Sequence, residues 1–392
     1  MLFKRNLLYA ALLTAVALPV VAQSNENTPS TSTENEKKVE QEIRDGKRLG
    51  SVLVTAQKRE QSAQTVPVAI AVIGGNEILE RGIFSSNDIQ RLAPGLSGQQ
   101  SGFSRPRWFI RGIGSNDPNL TTESPLGIYN DEVFTALTSL QSFPIFDLER
   151  VEVLRGPQGT LWGKNTTAGA VNYISRRPDF VTNGYVRASA GDWGSKSIQG
   201  GLGGTVNENT AGRISFFHNS YDGYAKNLAT NKDGPSFEEN AFRVQLLTNV
   251  TDDFNALVKV HFHKREPGGN YAYQVHSEAG GADRYGFTPA YGANPKAGDD
   301  FYAGESEDIT NSEGILVKLN WNLNGATLTS ISSYDESEGN SRSFSAHPPT
   351  YIGTRDTTSA WGEDASHQVS QEVRLVSPQE GTLTWISGLH FF

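Results

Sequence analysis

The stretch RVEVLRGPQGTLWGKNT, Arg150 to Thr166, has some features of a phosphate-binding loop. It is rich in glycine, begins with alternating apolar and charged residues, and contains a Gly-Lys pair. A phosphate-binding loop needs a glycine five residues before that pair and a serine or threonine directly after it. Gln158 and Asn165 occupy those two positions. Nucleotide binding is therefore not predicted, and the glycines need another explanation.

The composition favours strands over a large helical core. Of the 392 residues, 36% are hydrophobic, 10% are aromatic and 40 are glycine. Such a mixture is typical of strands that alternate polar and apolar residues. The net charge of -9 argues against nucleic acid as a partner, because a basic surface is needed to replace counterions. The absence of cysteine permits an oxidising compartment without demonstrating one.

The first 22 residues are predicted to be a secretory signal peptide. Lys4 and Arg5 precede an apolar run over 7–21, and Val20-Val21-Ala22 supplies small residues for cleavage. The alternative, a membrane anchor, needs about 20 apolar residues, whereas this run is shorter and contains Pro19. Residues 23–50 are rich in Ser, Thr, Asn, Glu and Lys, which predicts a flexible lead.

A short apolar segment, SVLVTA at 51–56, follows the lead. A β-prone segment on a flexible tether is suited to adding a strand to a partner's sheet. The same segment could instead be the first strand of the next domain. Spacing alone leaves both interpretations open.

Residues 57–178 are predicted to form an α+β domain. VAIAVI at 68–73 indicates a strand, and 75–81 and 86–92 indicate short helices, the second capped by Ser85 or Ser86. Short strands separated by Gly and Pro turns follow. Several of their residues are charged: Arg107, Arg111, Asp131, Glu149, Arg150, Glu152 and Arg155. These side chains would face water in a free domain, or the polar inside of a surrounding barrel.

Residues 179–392 alternate apolar and polar side chains in segments of about ten residues, as membrane barrel strands do. Val258 and Phe262 lie on one face of such a segment, with Lys259, His261 and His263 on the other. About nine strands are predicted, with one long extracellular loop over 265–310. A soluble β-sandwich would also fit the alternation. The two histidines lack a third ligand, so no metal site is predicted.

The segments LAPGLS, FIRGIG, GIYNDEV and DLERVEVLRGPQGTLWGKNTTAGAVNYISRRP, placed between an apolar box and alternating strands, resemble the TonB-dependent outer-membrane receptors of iron-complex or siderophore type. The resemblance is specific over 51–178 and weaker beyond. It implies an α+β plug domain inside an antiparallel transmembrane β-barrel of 22 strands, in the outer membrane of a Gram-negative bacterium. Subtracting 178 from 392 leaves 214 residues, too few for that barrel. The chain is therefore expected to be a fragment or a truncated reading frame.

The resemblance also implies three groups of site residues. The TonB box would be Ser51, Val52, Leu53, Val54, Thr55 and Ala56. An anionic, aromatic ligand such as a ferric chelate would meet Gln99, Gln100, Arg105, Arg107, Trp108, Asn116 and Asp117 at the outer apex of the plug. Tight turns and charge pairs of the plug would involve Arg111, Asp131, Glu152, Arg155, Gly156, Gly159, Gly163, Lys164 and Gly169. Lys164 is expected to pair with a carboxylate, and Arg111, interpreted as a strand residue, to pair within the plug.

The function implied is import of a scarce ligand, powered through TonB and its inner-membrane complex. A ferric siderophore is the first candidate ligand, followed by cobalamin, haem, saccharides and plant aromatics. The alternatives are a passive porin, which would lack box and plug, and a soluble secreted β-rich binding protein or adhesin. No set of nucleophile, base and orienting residue stands out, so no enzyme activity and no cofactor are predicted. The expected surroundings are outer-membrane lipid.

Overall fold

The computed structural model describes residues 53–100, 106–116, 124–227, 232–234, 236–268, 307–344, 359–378 and 383–392. The predicted signal peptide, the lead, Ser51, Val52, Arg105 and Asp117 lie outside these described residues. Within them, an α+β domain is followed by a large antiparallel sheet. No helix in the described ranges is long and apolar enough to cross a bilayer.

The α+β domain contains ten short strands and four short helical segments. The strands are β1 (Leu53–Val54), β2 (Gln61–Ser62), β3 (Ala69–Gly74), β4 (Leu96–Gln100), β5 (Pro106–Ile110), β6 (Ile113–Gly114), β7 (Leu126–Asn130), β8 (Val133–Phe134), β9 (Leu148–Arg155) and β10 (Gly169–Ser175). The helices are α1 (Gly75–Glu80) and α2 (Gly159–Trp162), and the 3₁₀ segments are Ser86–Arg91 and Thr138–Gln141. The Asn87 amide donates to Ser85 Oγ at 3.3 Å, so Ser85 is the cap of the second predicted helix.

A five-stranded sheet with the order β3-β9-β10-β7-β8 forms the centre of this domain. β9 pairs antiparallel with β3 and β10, and β7 lies parallel to β10. Every residue of β10 is buried. Val151, Val171 and Tyr173 are fully buried in the main apolar cluster, which lies on one side of the sheet. The domain therefore has a core of its own.

The glycine-rich stretch joins two neighbouring antiparallel strands, β9 and β10. Gly156 and Gly163 have φ of 94° and 78°, a region that favours glycine. Gly169 has φ of 155°, and a Cβ there would lie 2.3 Å from the Leu154 carbonyl oxygen. Gly159 starts α2 with neither a positive φ nor a neighbour within 4 Å, so the structure does not require glycine at that position.

The second body is a nine-stranded antiparallel sheet with the order β11-β12-β13-β16-β17-β18-β19-β20-β21. Its strands are β11 (Asn183–Ala190), β12 (Lys196–Asn207), β13 (Thr210–Tyr221), β16 (Ser236–Thr251), β17 (Phe254–Gly268), β18 (Glu307–Leu323), β19 (Ala326–Phe344), β20 (Ser359–Val376) and β21 (Ile386–Phe391). β14 (Ala225–Asn227) and β15 (Lys232–Gly234) form a separate pair. β11 and β21 are the outer strands, so the described part of the sheet is not closed.

The two faces of this sheet differ as the alternation predicts. Leu202 and Val369 are 65% and 51% exposed on one face, whereas Arg213 and Lys259 are 1% and 4% exposed on the face toward the α+β domain. We call the second the inward face. The predicted loop over 265–310 is too long at both ends, because β17 continues to Gly268 and β18 begins at Glu307. Residues 269–306 lie outside the described part.

Aromatic side chains cluster at both ends of the strands. Trp193 meets Tyr221 edge-on at one end, with ring centroids 6.5 Å apart. At the other end, Phe254 and Trp321 have centroids 6.1 Å apart, and Trp321 is half exposed. An exposed apolar band between two aromatic girdles is the pattern of a transmembrane barrel wall.

We expect the substitution Gly169→Ala to destabilise the fold by about 2 kcal/mol or more, because the new Cβ would collide with backbone and φ is unfavourable. Gly159→Ala is the matched control and should change stability by less than about 0.5 kcal/mol. Urea unfolding of the chain in detergent micelles, followed by tryptophan fluorescence, measures both. Equal effects would contradict the assignment of the close approach to Gly169.

Candidate functional site

An acidic two-residue turn between β7 and β8 joins the α+β domain to the inward face. Its residues, Asp131 and Glu132, have φ of 51° and 72°, an uncommon conformation for residues other than glycine. We call them the acidic turn. The Asp131 carboxylate accepts from the Ser175 amide and hydroxyl, both at 2.8 Å, and from Lys259 Nζ of β17 at 2.7 Å.

Glu132 is the more heavily paired of the two acids. Lys318 Nζ lies 2.5 Å from its Oε1, and Arg374 Nη2 lies 2.6 Å from its Oε2. Burial by itself raises the pKa of Glu132, but Arg374, Lys318 and Lys58 outweigh burial and hold it well below the usual value. In the same way burial raises the pKa of Asp131, and Lys259 more than reverses the effect. Both acids are therefore ionised in the folded chain.

A third acid of the α+β domain, Asp147, makes the most deeply buried pair. Its side chain accepts two hydrogen bonds of 2.6 Å from Arg213, and another from the Ser215 hydroxyl. Arg243 donates to the backbone carbonyls of Phe146 and Asp147, both at 2.9 Å. A bidentate pair of this kind fixes both position and orientation. Three separate points of the domain are thus fixed to the inward face.

The segment predicted to be the TonB box is folded into the α+β domain where the structure describes it. β1 and β2 pair as a hairpin, Leu53 to Ser62, which we call the box hairpin. Val54 and Ala56 are fully buried. The Thr55 amide donates to Glu152 Oε1 at 2.8 Å, and Trp162 Nε1 donates to the Ala56 carbonyl at 2.8 Å. Val54, Thr55 and Ala56 are therefore not accessible to a partner in this conformation, whereas Leu53 is half exposed.

Lys58, in the turn of the box hairpin, contacts the barrel wall. Its Nζ lies 3.3 Å from Glu372 Oε2 on β20 and 4.2 Å from the centroid of the Trp162 ring. Burial lowers the pKa of Lys58, and the charges of Glu132 and Glu372 oppose that effect. No pattern in the sequence indicates this contact, since Lys58 lies after the motif that implied the box.

The predicted ligand residues are only partly brought together. Gln99 and Gln100 end β4, and Gln99 is the cross-strand partner of Arg107 on β5. Asn116 is exposed. Trp108 is 2% exposed and packs in the main core, so its ring does not lie at an open surface in this conformation. Arg105 and Asp117 lie outside the described part, so their role as ligand residues stays a prediction.

The remaining predicted residues have varied surroundings. Arg111 lies at φ 52° in the exposed turn after β5, so its interpretation as a strand residue was wrong. Arg155 Nε is buried with no hydrogen-bond partner among the described residues. Lys164 Nζ lies 5.6 Å from the ring centroid of Phe392. Glu152 is fully buried, and its partners are Thr55 and Arg150.

A cavity of about 70 Å³ separates the α+β domain from β16 to β20. Phe143, Phe146, Arg243, His261 and Asp335 are among its lining residues. The cavity is large enough to hold ordered water molecules. His263 pairs with Glu239 at 2.9 Å. In the ranges the structure describes, no group of three or more His, Cys, Asp or Glu could hold a metal ion.

The contacts of Glu132 and Asp147 with the barrel were not predicted from the sequence. Cations at polar positions of the barrel strands could have indicated such contacts. Arg213, Lys259 and Lys318 occupy polar positions of the strand alternation. Buried cations require counter-charges. Five inward cations therefore call for acidic residues on whatever fills the barrel: Arg213, Arg243, Lys259, Lys318 and Arg374.

Comparison with known proteins agrees with this geometry. The family model described as TonB-dependent Receptor Plug Domain matches residues 62–170. The pesticin receptor of Yersinia pestis is 28% identical over 239 residues, which are 59% of this chain and 32% of that receptor. A vitamin B12 transporter of Vibrio vulnificus is 32% identical over 143 residues, covering 36% of this chain and 23% of the transporter.

Solved structures show the same fold. The ferric yersiniabactin uptake receptor of Yersinia pestis superposes with a TM-score of 0.69 at 18% identity, covering 84% of this chain and 49% of that receptor. The ferripyoverdine receptor of Pseudomonas aeruginosa gives 0.64 at 15% identity, with coverages of 83% and 41%. The chain spans about a third of the curated relative from Yersinia pestis and about half of the structural one.

The fold is thus a plug domain attached to the polar inner face of an antiparallel barrel wall. Residues 62–170 match the TonB-dependent receptor plug domain, and the described chain has the fold of the plug and part of the barrel of solved siderophore receptors. Its location is the outer membrane of a Gram-negative bacterium.

We expect Glu132→Gln to destabilise the chain by about 3 kcal/mol at pH 7, because it leaves Lys318 and Arg374 buried without a full counter-charge. The folded pKa of Glu132 lies below its unfolded value of about 4.3. Its contribution is therefore complete above that pH and is lost as pH falls through the folded pKa. The difference between variant and parent should shrink in acid.

Urea unfolding in detergent micelles at a series of pH values measures this difference. Asp88→Asn is the control, because Asp88 forms an exposed pair with Arg91 at 3.1 Å, worth about 1 kcal/mol at most. A variant difference independent of pH would contradict the ionised state of Glu132.

Proposed function

We propose that the full receptor imports a ferric siderophore across the outer membrane, using energy delivered by TonB. The observation that carries the proposal is the attachment of three acidic side chains of the plug to the cationic inner face of a barrel wall, together with the contact of the box hairpin with the same wall. A plug that fills a barrel blocks passive diffusion. Transport then requires a change in the plug, and such a change needs an energy source.

The way in which the box is held in the plug supports TonB as the partner. Thr55 and Ala56 are held by hydrogen bonds to Glu152 and Trp162, and no covalent link or long helix fixes the segment. A short strand that is released from such a hairpin exposes its backbone groups, which can pair with a sheet edge of TonB. We assign Ser51 to Ala56 as that docking segment, residues 57–178 as the plug and 179–392 as part of the barrel.

The ligand class is supported by the apex of the plug and by the relatives. Arg107 is placed opposite Gln99 on the β4–β5 hairpin, and Arg105, Asn116 and Asp117 are assigned to the adjoining loops. A cationic and amide-rich apex suits an anionic iron chelate. The relatives include a ferrioxamine receptor, a pesticin receptor and vitamin B12 transporters, so the iron chelate is our choice among related ligands.

Deletion of residues 51–56 tests the energy-coupled route. In cells carrying the full-length gene, we expect uptake of radioactive iron chelates to be abolished while binding at the cell surface is retained. The physical reason is that the plug stays folded and the link to TonB is lost. Deletion of six residues of the lead, 27–32, is the control and should leave uptake intact. Unchanged uptake after deletion of 51–56 would indicate a passive porin.

Substitution of Arg107 tests the ligand site. Arg107→Gln should weaken binding of an anionic ferric chelate by about tenfold or more, because a charge-assisted hydrogen bond to the ligand is lost. Arg81→Gln, in an exposed pair with Glu77, is the control with the same change of charge. Equilibrium binding to the purified full-length receptor across a panel of chelates gives both values. Equal affinities for the two variants would remove Arg107 from the site.

A further inference from the structure

The box hairpin is attached to two different bodies by two carboxylates, one fully buried and the other partly buried. Glu152 belongs to β9 in the plug, and Glu372 belongs to β20 in the barrel wall. Thr55 contacts the first and Lys58 contacts the second. The two attachments are three residues apart in the sequence, so the hairpin cannot leave while either attachment is intact.

The first attachment depends on a carboxylate that is fully buried. Glu152 accepts from the Thr55 amide at 2.8 Å, from the Thr55 hydroxyl at 3.1 Å and from Arg150 Nε at 2.8 Å. Two of these three donors belong to Thr55. Release of the hairpin therefore leaves Glu152 with Arg150 as its one hydrogen-bonding side chain among the described residues. The loss of partners at a buried charge opposes release.

The second attachment depends on Lys58. The residue is 5% exposed and has φ of 58°. Its ammonium group lies 4.2 Å and 5.8 Å from the ring centroids of Trp162 and Tyr129. These distances are within the range of cation–π attraction. Together with Glu372, the rings give a buried cation both aromatic and anionic partners, and so stabilise an otherwise unfavourable backbone conformation.

The two attachments are linked through the acidic turn. Glu372 accepts from Arg374 at 2.8 Å, Arg374 reaches Glu132 at 2.6 Å, and the Glu132 amide donates to Asn172 at 3.2 Å. Asn172 is the register partner of Glu152 on the neighbouring strand. The Lys58 amide donates to the Thr55 carbonyl at 2.8 Å, which completes the series. A series of polar contacts, with one strand pairing between Asn172 and Glu152, therefore joins the hairpin, the plug and the barrel wall.

We propose that Glu152 and Lys58 are positioning residues that keep the box hairpin closed in the resting receptor, one holding it to the plug and the other to the barrel wall. The proposal rests on the proposed function only in treating this hairpin as the docking segment for TonB. Both contacts must break before the segment is exposed. Their effects on the opening equilibrium should therefore multiply.

A single cysteine reports the opening directly, because the chain has no cysteine of its own. Val54→Cys places the thiol at a fully buried position of the hairpin. In the purified full-length receptor, a maleimide should label this thiol slowly, at the rate allowed by transient opening. Glu152→Gln and Lys58→Met should each accelerate labelling by about tenfold, and the double variant by about a hundredfold.

Three controls separate local opening from loss of folding. Leu53→Cys, half exposed, should label rapidly in every background, and Val171→Cys, buried in β10, should label slowly in every background. Glu149→Gln removes a half-exposed carboxylate from the same strand, where it pairs with Arg150, and should leave the Val54→Cys rate unchanged. Lys58→Arg keeps the cation and should restore slow labelling.

The proposal is overturned if Val54→Cys labels at the parental rate in both variants. It is also overturned if Val171→Cys accelerates in parallel, because the two residues would then stabilise the whole plug. Labelling needs neither TonB nor a ligand. If opening accelerates as expected but the purified periplasmic domain of TonB does not bind the opened variants, the positioning roles stand and the docking function fails.

Discussion

The buried cations on the inner face of the barrel wall are the constraint on which the structure depends. Arg213, Lys259 and Lys318 are almost completely removed from water. Such charges are unfavourable unless acids meet them at hydrogen-bonding distance. The plug supplies Asp147, Asp131 and Glu132 at distances of 2.5 to 2.7 Å. The position of the plug follows from that requirement.

The same constraint explains the unusual backbone of the plug. Asp131, Glu132 and Asp147 all have positive φ, where glycine or asparagine would be less strained. A glycine there would relieve the strain but could not pair with a cation. The strain is tolerated because the paired charges stabilise the turns, and it directs each carboxylate out of the plug sheet toward the wall.

Attachment through charges also suits a plug that must change shape. An apolar interface of similar extent would be held by packing over a broad area. Polar contacts instead can exchange for water one at a time when a path opens, and a small cavity already lies beside Arg243 and His261. The box hairpin contacts both the plug and the barrel wall, so a force applied to the hairpin acts on the plug and on the wall.

Local patterns of residues were enough to predict the class of fold, an α+β domain followed by a wall of antiparallel strands. Alternation of period two predicted the nine strands and their two faces, because a strand places successive side chains on opposite sides. The turns at Gly156 and Gly163 were implied by the family resemblance, and both residues have the positive φ that favours glycine. Tertiary structure alone decided which acid meets which cation, the burial of Trp108, and the contact of Lys58 with Glu372, 314 residues away in the chain. Those contacts join segments distant in sequence, and no local pattern of residues encodes which distant partner will be brought into contact.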